Sequence, residues 1–90
     1  MRWFTGTATS GQIIGSRPDT PVIAIEFHAK AKNKREATVG DSTVTLSDGM
    51  GLEPDDRHSP DFTPGSVKLS EIYVATSGTD KVDWSVQVGP

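Results

Sequence analysis

Asp55, Asp56, His58 and Asp61 crowd one short stretch and offer the oxygen and imidazole donors that a divalent cation takes. Their spacing follows no calcium-loop, zinc or facial-triad pattern. The stretch therefore reads as a solvated acidic loop, with no metal and no cofactor expected. The two histidines, His28 and His58, fall in separate segments, one on a strand and one in that loop, which leaves no paired acid–base role. Serines are frequent, yet none stands in a Gly-x-Ser-x-Gly elbow, and the phosphate-cradling and dinucleotide-binding glycine patterns are absent. Paired carboxylates can hydrolyse glycosidic bonds, but a chain of 90 residues provides little cleft in which to perturb their pKa values. The expectation is a protein that is not an enzyme and acts through contacts.

The side chains best suited to contacts are apolar ones outside the regular patterns. Trp3 and Phe4 stand next to each other in a first segment rich in Gly, Thr and Ser, where Ile13 and Ile14 are the other large apolar residues. Aromatic side chains bring a large area to an interface, so an aromatic-tipped arm suits docking on a neighbour. Phe62 is the single aromatic anchor of the acidic loop. These five residues, Trp3, Phe4, Ile13, Ile14 and Phe62, are the candidate partner-binding set. Lys30 to Arg35 carries four cations in six residues and reads as a solvated hairpin loop, with phosphate or an acidic protein as the other possible contacts.

The elements that must position these groups are strands. In Val82 to Val88, Val82, Trp84, Val86 and Val88 share one face and Asp83, Ser85 and Gln87 the other, the period-two signature of a half-buried strand with Trp84 as core anchor. Val67 to Thr76 is also extended but changes face near Ser70 and Glu71, which predicts a bulge or bend there, or burial of both faces. With the Ser77-Gly78-Thr79-Asp80 turn between them, the two runs read as a closing β-hairpin. Val22 to Lys32 alternates Ile23, Ile25, Phe27, Ala29 and Ala31 against polar residues, and Glu36 to Val39 is expected to return antiparallel to it across Asn33 and Lys34. Thr43 to Leu46 reads as a further strand with Val44 and Leu46 inward, followed by the Ser47-Asp48-Gly49 turn and a brief apolar pair, Met50 and Leu52. Helical spacing is nowhere sustained. The fold class expected is all-β, a small antiparallel β-sandwich or jelly-roll-like barrel with an extended N-terminal arm. Residues 1–20 form the arm or a first short strand, and residues 21–90 the β-sandwich domain with a long loop at 55–66.

Size and composition narrow the function classes. A domain of 90 residues buries only roughly 60 to 65% of its unfolded surface, and 33% apolar content leaves little core to spare. There is no cysteine to staple it, so association with other copies or other proteins is the remaining source of stability. A net charge of -3 gives no basic stripe for nucleic acid, and no apolar run approaches membrane-spanning length. The first residues lack the charged lead and apolar run of a secretory signal, so synthesis and assembly in a cytoplasm are expected.

One series of turns and strands resembles a group of small virion proteins of tailed bacteriophages. It runs Val39-Gly40-Asp41-Ser42-Thr43-Val44, then Ser47-Asp48-Gly49, then Leu52-Glu53-Pro54, then Ile72-Tyr73-Val74-Ala75-Thr76-Ser77-Gly78 through Lys81-Val82. The likeness spans roughly residues 22 to 88 and rests on turn glycines and alternating apolar residues. It departs from the group in the inserted acidic stretch between Pro54 and Pro64-Gly65 and in the segment around Trp3 and Phe4. The resemblance implies a capsid decoration or cement protein, a homotrimer bound to the major capsid protein or another virion protein on the capsid surface and assembled in the host cytoplasm, with no nucleic acid or membrane partner. A glycan- or receptor-binding module of a tail or fibre is the alternative; it calls for an exposed Trp or Tyr flanked by Asp or Asn. A small barrel that stacks single-stranded bases is the third reading, disfavoured by the acidic balance.

Overall fold

The computed structural model describes residues 2–13, 20–61 and 63–88. Among the described residues eight strands form in chain order: β1 (Arg2–Ala8), β2 (Gly11–Gln12), β3 (Val22–Ala29), β4 (Ala37–Gly40), β5 (Met50–Leu52), β6 (Arg57–His58), β7 (Tyr73–Ala75) and β8 (Val82–Val88). A 3-10 turn, Leu69–Glu71, precedes β7. The strands make two four-stranded antiparallel sheets, ordered β1-β8-β3-β6 and β2-β7-β4-β5. The chain is all-β, and one apolar core draws on both sheets.

The first sheet is built around β8, whose Val82, Trp84, Val86 and Val88 are buried while the intervening residues are half-exposed. β-Branched residues on one face suit a pleated, half-buried strand, and here they meet Ile25, Phe27 and Ala29 of β3 on the same face. A register shift between Val22 and Ala24 leaves Ile23 as the extra residue. That bulge is why Val22 is fully buried and Ile23 only half-buried, against the strict alternation expected from the sequence. β1 runs along the other edge of β8 in unbroken register from Arg2 opposite Val88 to Ala8 opposite Val82. Gly6 lies directly opposite Trp84, and a methyl group built on it would fall 2.6 Å from the indole Cζ2. The indole thus rests on bare backbone at a position no larger residue can fill without displacing it.

Several expectations are corrected. The extended N-terminal arm gives way to the other expectation for residues 1–20, a strand: residues 2–8 are paired, because Phe4 and Ala8 pack against the core and a seven-residue ladder ties them to β8. The closing hairpin does not form: β7 and β8 lie in different sheets, and the Ser77–Asp80 turn carries the chain from one to the other. Likewise β4 does not return along β3 but joins β7 and β5 in the second sheet. The residues around Thr43 to Leu46 make a turn in place of a strand. There Asp41 Oδ1 accepts the Thr43 N–H (2.9 Å) and hydroxyl (2.6 Å), the Val44 N–H bonds back to the Asp41 carbonyl (3.0 Å), and Leu46 is exposed. Gly49, at φ 146°, closes this turn where a methyl group would meet Val44 Cγ2 at 2.6 Å. The expected change of face near Ser70 and Glu71 is present as the 3-10 turn, with Leu69 buried and the Glu71 carboxylate accepting the Lys68 N–H at 2.9 Å.

Candidate interaction surface on the first sheet

Alternation along β1, β8, β3 and β6 places one set of side chains on the outer face of the first sheet in rows that cross the strands. One row is Thr7, Asp83, His28 and Arg57; the next is Thr5, Ser85 and Glu26; the third is Trp3, Gln87 and Ala24. The first row is joined by polar contacts. The Thr7 hydroxyl donates to Asp83 Oδ1 (2.6 Å), Lys30 Nζ lies 2.9 Å from Asp83 Oδ2, and Arg57 reaches Glu26 at 3.5 Å. Partial burial pushes the Asp83 pKa up, but the Thr7 hydroxyl, the Lys30 ammonium and the charge of His28 together hold it below the usual carboxylate range. A carboxylate held ionised in this way, with both oxygens engaged, is a poor proton acceptor. The arrangement is suited to rigid presentation of a polar surface.

His28 Nε2 sits 2.9 Å from Asp55 Oδ1. Asp55 is at φ 71°, a conformation Asp tolerates better than most residues, and its N–H donates to the Ala29 carbonyl at 3.0 Å. The Ala29 N–H returns to the Asp56 carbonyl at 2.9 Å, and the Glu53 N–H reaches Asp56 Oδ2 at 3.0 Å. The first part of the expected 55–66 loop is therefore docked on the sheet as β6. Backbone pairing over Arg57 and His58 achieves this without any apolar alternation that a sequence reading could detect. The acidic quartet is dispersed by the same geometry: Asp55 faces His28, Asp56 caps its own turn, and His58 stands opposite Phe27 on the other face from His28. Among the described residues no three His, Asp or Glu side chains gather around a point that a metal ion could occupy.

The five candidate contact residues are not brought together. Trp3 is 63% exposed at the edge of the outer face, whereas Phe4, one residue on, turns inward and packs against the core. Ile13 is only 4% exposed and belongs to the core, where its N–H bonds to the Ile72 carbonyl at 3.1 Å. Ile14 and Phe62 lie outside the described residues. Beside Trp3 opens a cleft of about 380 Å³ bordered by Glu26, Ser59, Asp61 and Ser85.

Two side chains at turn positions expected to be solvated, Asn33 and Asp80, are buried polar groups beyond the end of β3. Asn33, 8% exposed, donates from Nδ2 to the Lys81 carbonyl (2.7 Å) and accepts the Lys81 N–H at Oδ1 (2.9 Å). Asp80, 6% exposed, accepts the N–H groups of Lys34 and Arg35, each at 3.0 Å. Together they clamp the β3–β4 loop to the crossing between the sheets. The signal in the sequence is faint: a lone Asn inside a cationic run, and an Asp one residue before a cation and a strand.

Comparison of the chain with protein families, with curated proteins and with solved structures found no match to any of the three.

Proposed function

We propose that this chain is a non-enzymatic virion structural protein of a tailed bacteriophage, a capsid decoration or cement protein that docks on the major capsid protein as a homotrimer. The observation that carries the reading is Trp3, a large aromatic side chain 63% exposed on a strand held in place by a seven-residue ladder. A rigidly mounted, solvent-facing Trp is the kind of residue that dominates protein interfaces once covered. The series from Val39 to Val82 that resembles the phage proteins supports the reading from the sequence side, with Val39, Val74 and Val82 all in the core.

Because β1 is part of the sheet, removing the first ten residues tests stability and not docking. The informative variant is Trp3→Ala, which leaves the ladder and the core intact. Its affinity for purified capsids, measured by co-sedimentation, should fall by at least about tenfold, in line with the loss of an interface hot spot. Unchanged capsid affinity, or absence of the protein from purified particles, overturns the reading. Light scattering on the eluting peak of a sizing column tests the trimer.

A second reading is favoured by one specific feature. Trp3 is flanked by Glu26, Ser59, Asp61 and Ser85 around its cleft, an aromatic platform with carboxylate and hydroxyl acceptors at its rim, which is the chemistry that holds a sugar ring. Under this alternative the chain is a tail- or fibre-associated glycan- or receptor-binding module. A glycan array separates the two readings, since binding there without capsid binding selects the second.

A further inference from the structure

The same end of the molecule that carries the Asn33 and Asp80 clamp concentrates cations. A groove of about 680 Å³ runs between the β3–β4 loop and the Ser77–Lys81 crossing, and its lining includes Lys30, Lys32, Lys34 and Lys81 beside Asp80 and Asp83. Both carboxylates are already engaged: Asp80 with the backbone N–H groups of Lys34 and Arg35, and Asp83 with Thr7 and Lys30. Lys32, Lys34 and Lys81 make no ion pair among the described residues. Four lysines against two aspartates leave the groove with a net positive charge in a chain whose own net charge is -3. Like charges this close repel, and the buried Asn33 and Asp80 side chains hold the backbone of the loop against that repulsion. The cations are thus presented on a fixed frame, which lowers the ordering cost of binding.

We infer that this groove binds a carboxylate-rich segment of a protein partner. Three free ammonium groups provide the charge complementarity, and the lysine stems with Ala31 supply apolar wall to the groove. Nucleic acid fits less well, because no Phe, Tyr or Trp lines the groove to stack a base. The inference concerns a surface separate from Trp3 and does not depend on the capsid reading.

The test uses the intact chain and a fluorescent alternating Glu-Asp peptide at an ionic strength of about 10 mM, where the Debye length is about 30 Å. Fluorescence anisotropy should show saturable binding. Lys32→Glu and Lys34→Glu should each weaken binding by at least about fivefold, since each reverses a charge directed at the probe. Lys68→Glu, beside Pro21 at the opposite end of β3, makes the same change in net charge and should leave binding nearly unaltered. All three side chains are exposed, so the fold is retained, and thermal melts verify this. The inference is overturned by an absence of peptide binding, by an equal loss in all three variants, or by tighter binding of oligothymidylate than of the peptide.

Discussion

The two sheets are held together by different means. In the first, β1, β8 and β3 are seven, seven and eight residues long and pair in nearly continuous register over a packed apolar face. In the second, β2, β7, β4 and β5 have only two to four residues each, and side chains complete what the ladders cannot. The Thr38 hydroxyl donates to the Thr45 carbonyl at 2.6 Å, the Ser10 hydroxyl accepts the Thr76 N–H at 3.1 Å, and the Thr76 hydroxyl donates to the Thr9 carbonyl. Long ladders with a buried face resist local opening, whereas short ones depend on individual hydrogen bonds. The first sheet should therefore behave as the stable frame and the second as the part that opens first.

The largest break in that contrast should come from Trp84→Ala. It empties a buried aromatic site against Gly6 and Phe27 and should cost about 3 to 5 kcal/mol in urea unfolding, enough to threaten folding altogether. Next in size is Asp80→Ala, which strips two N–H groups of their acceptor at the joint between the sheets. A loss of about 2 kcal/mol is expected, read as a lower urea midpoint with an unchanged m-value. Thr38→Val should cost about 1 kcal/mol and sharpen the contrast, since amide exchange should quicken in residues 41–49 while β8 stays protected.

The smallest effect concerns pH. The Asp83 carboxyl has a lower pKa folded than unfolded, so the folded state gains stability from its ionisation above the ordinary carboxylate pKa. That gain is lost as pH falls through the depressed folded-state value. Asp83→Asn should therefore flatten the acid side of the stability profile below about pH 4 and change little at neutrality, as thermal melts across pH would show.

Legibility in the sequence follows the same division. β8 and β3 declare themselves because alternation persists over seven or eight residues, and Trp84 is in the core as its parity requires. β1 is hidden because its inward positions are Phe4, Gly6 and Ala8, so two of the three are too small to register as an apolar face. Parity does, however, separate Trp3 from Phe4: neighbours on a strand point to opposite faces, and only one of the two can meet a partner on a given surface. The sheet crossing at Ser77–Asp80 is illegible for another reason. A polar four-residue turn between two alternating runs fits a hairpin and a crossing equally, and what decides is Asp80 reaching Lys34 and Arg35 more than forty residues earlier. The cationic run is visible in the sequence, while the two side chains that fix its shape are not.

The position of β8 between β1 and β3 also has a kinetic meaning. Arg2 and Val22 both pair with Val88, so the central ladder of the first sheet must await the last of the described strands to leave the ribosome. Until then β1 and β3 have no partner in common, and the Trp84 that would cover their apolar positions is still unmade. Closing loops of this length before any ladder forms slows folding. The nascent chain therefore passes through a stage in which β1 lacks its partner and β3 has only the two-residue β6 beside it, and its yield in a cell should respond to translation speed and chaperone supply more than its final stability suggests.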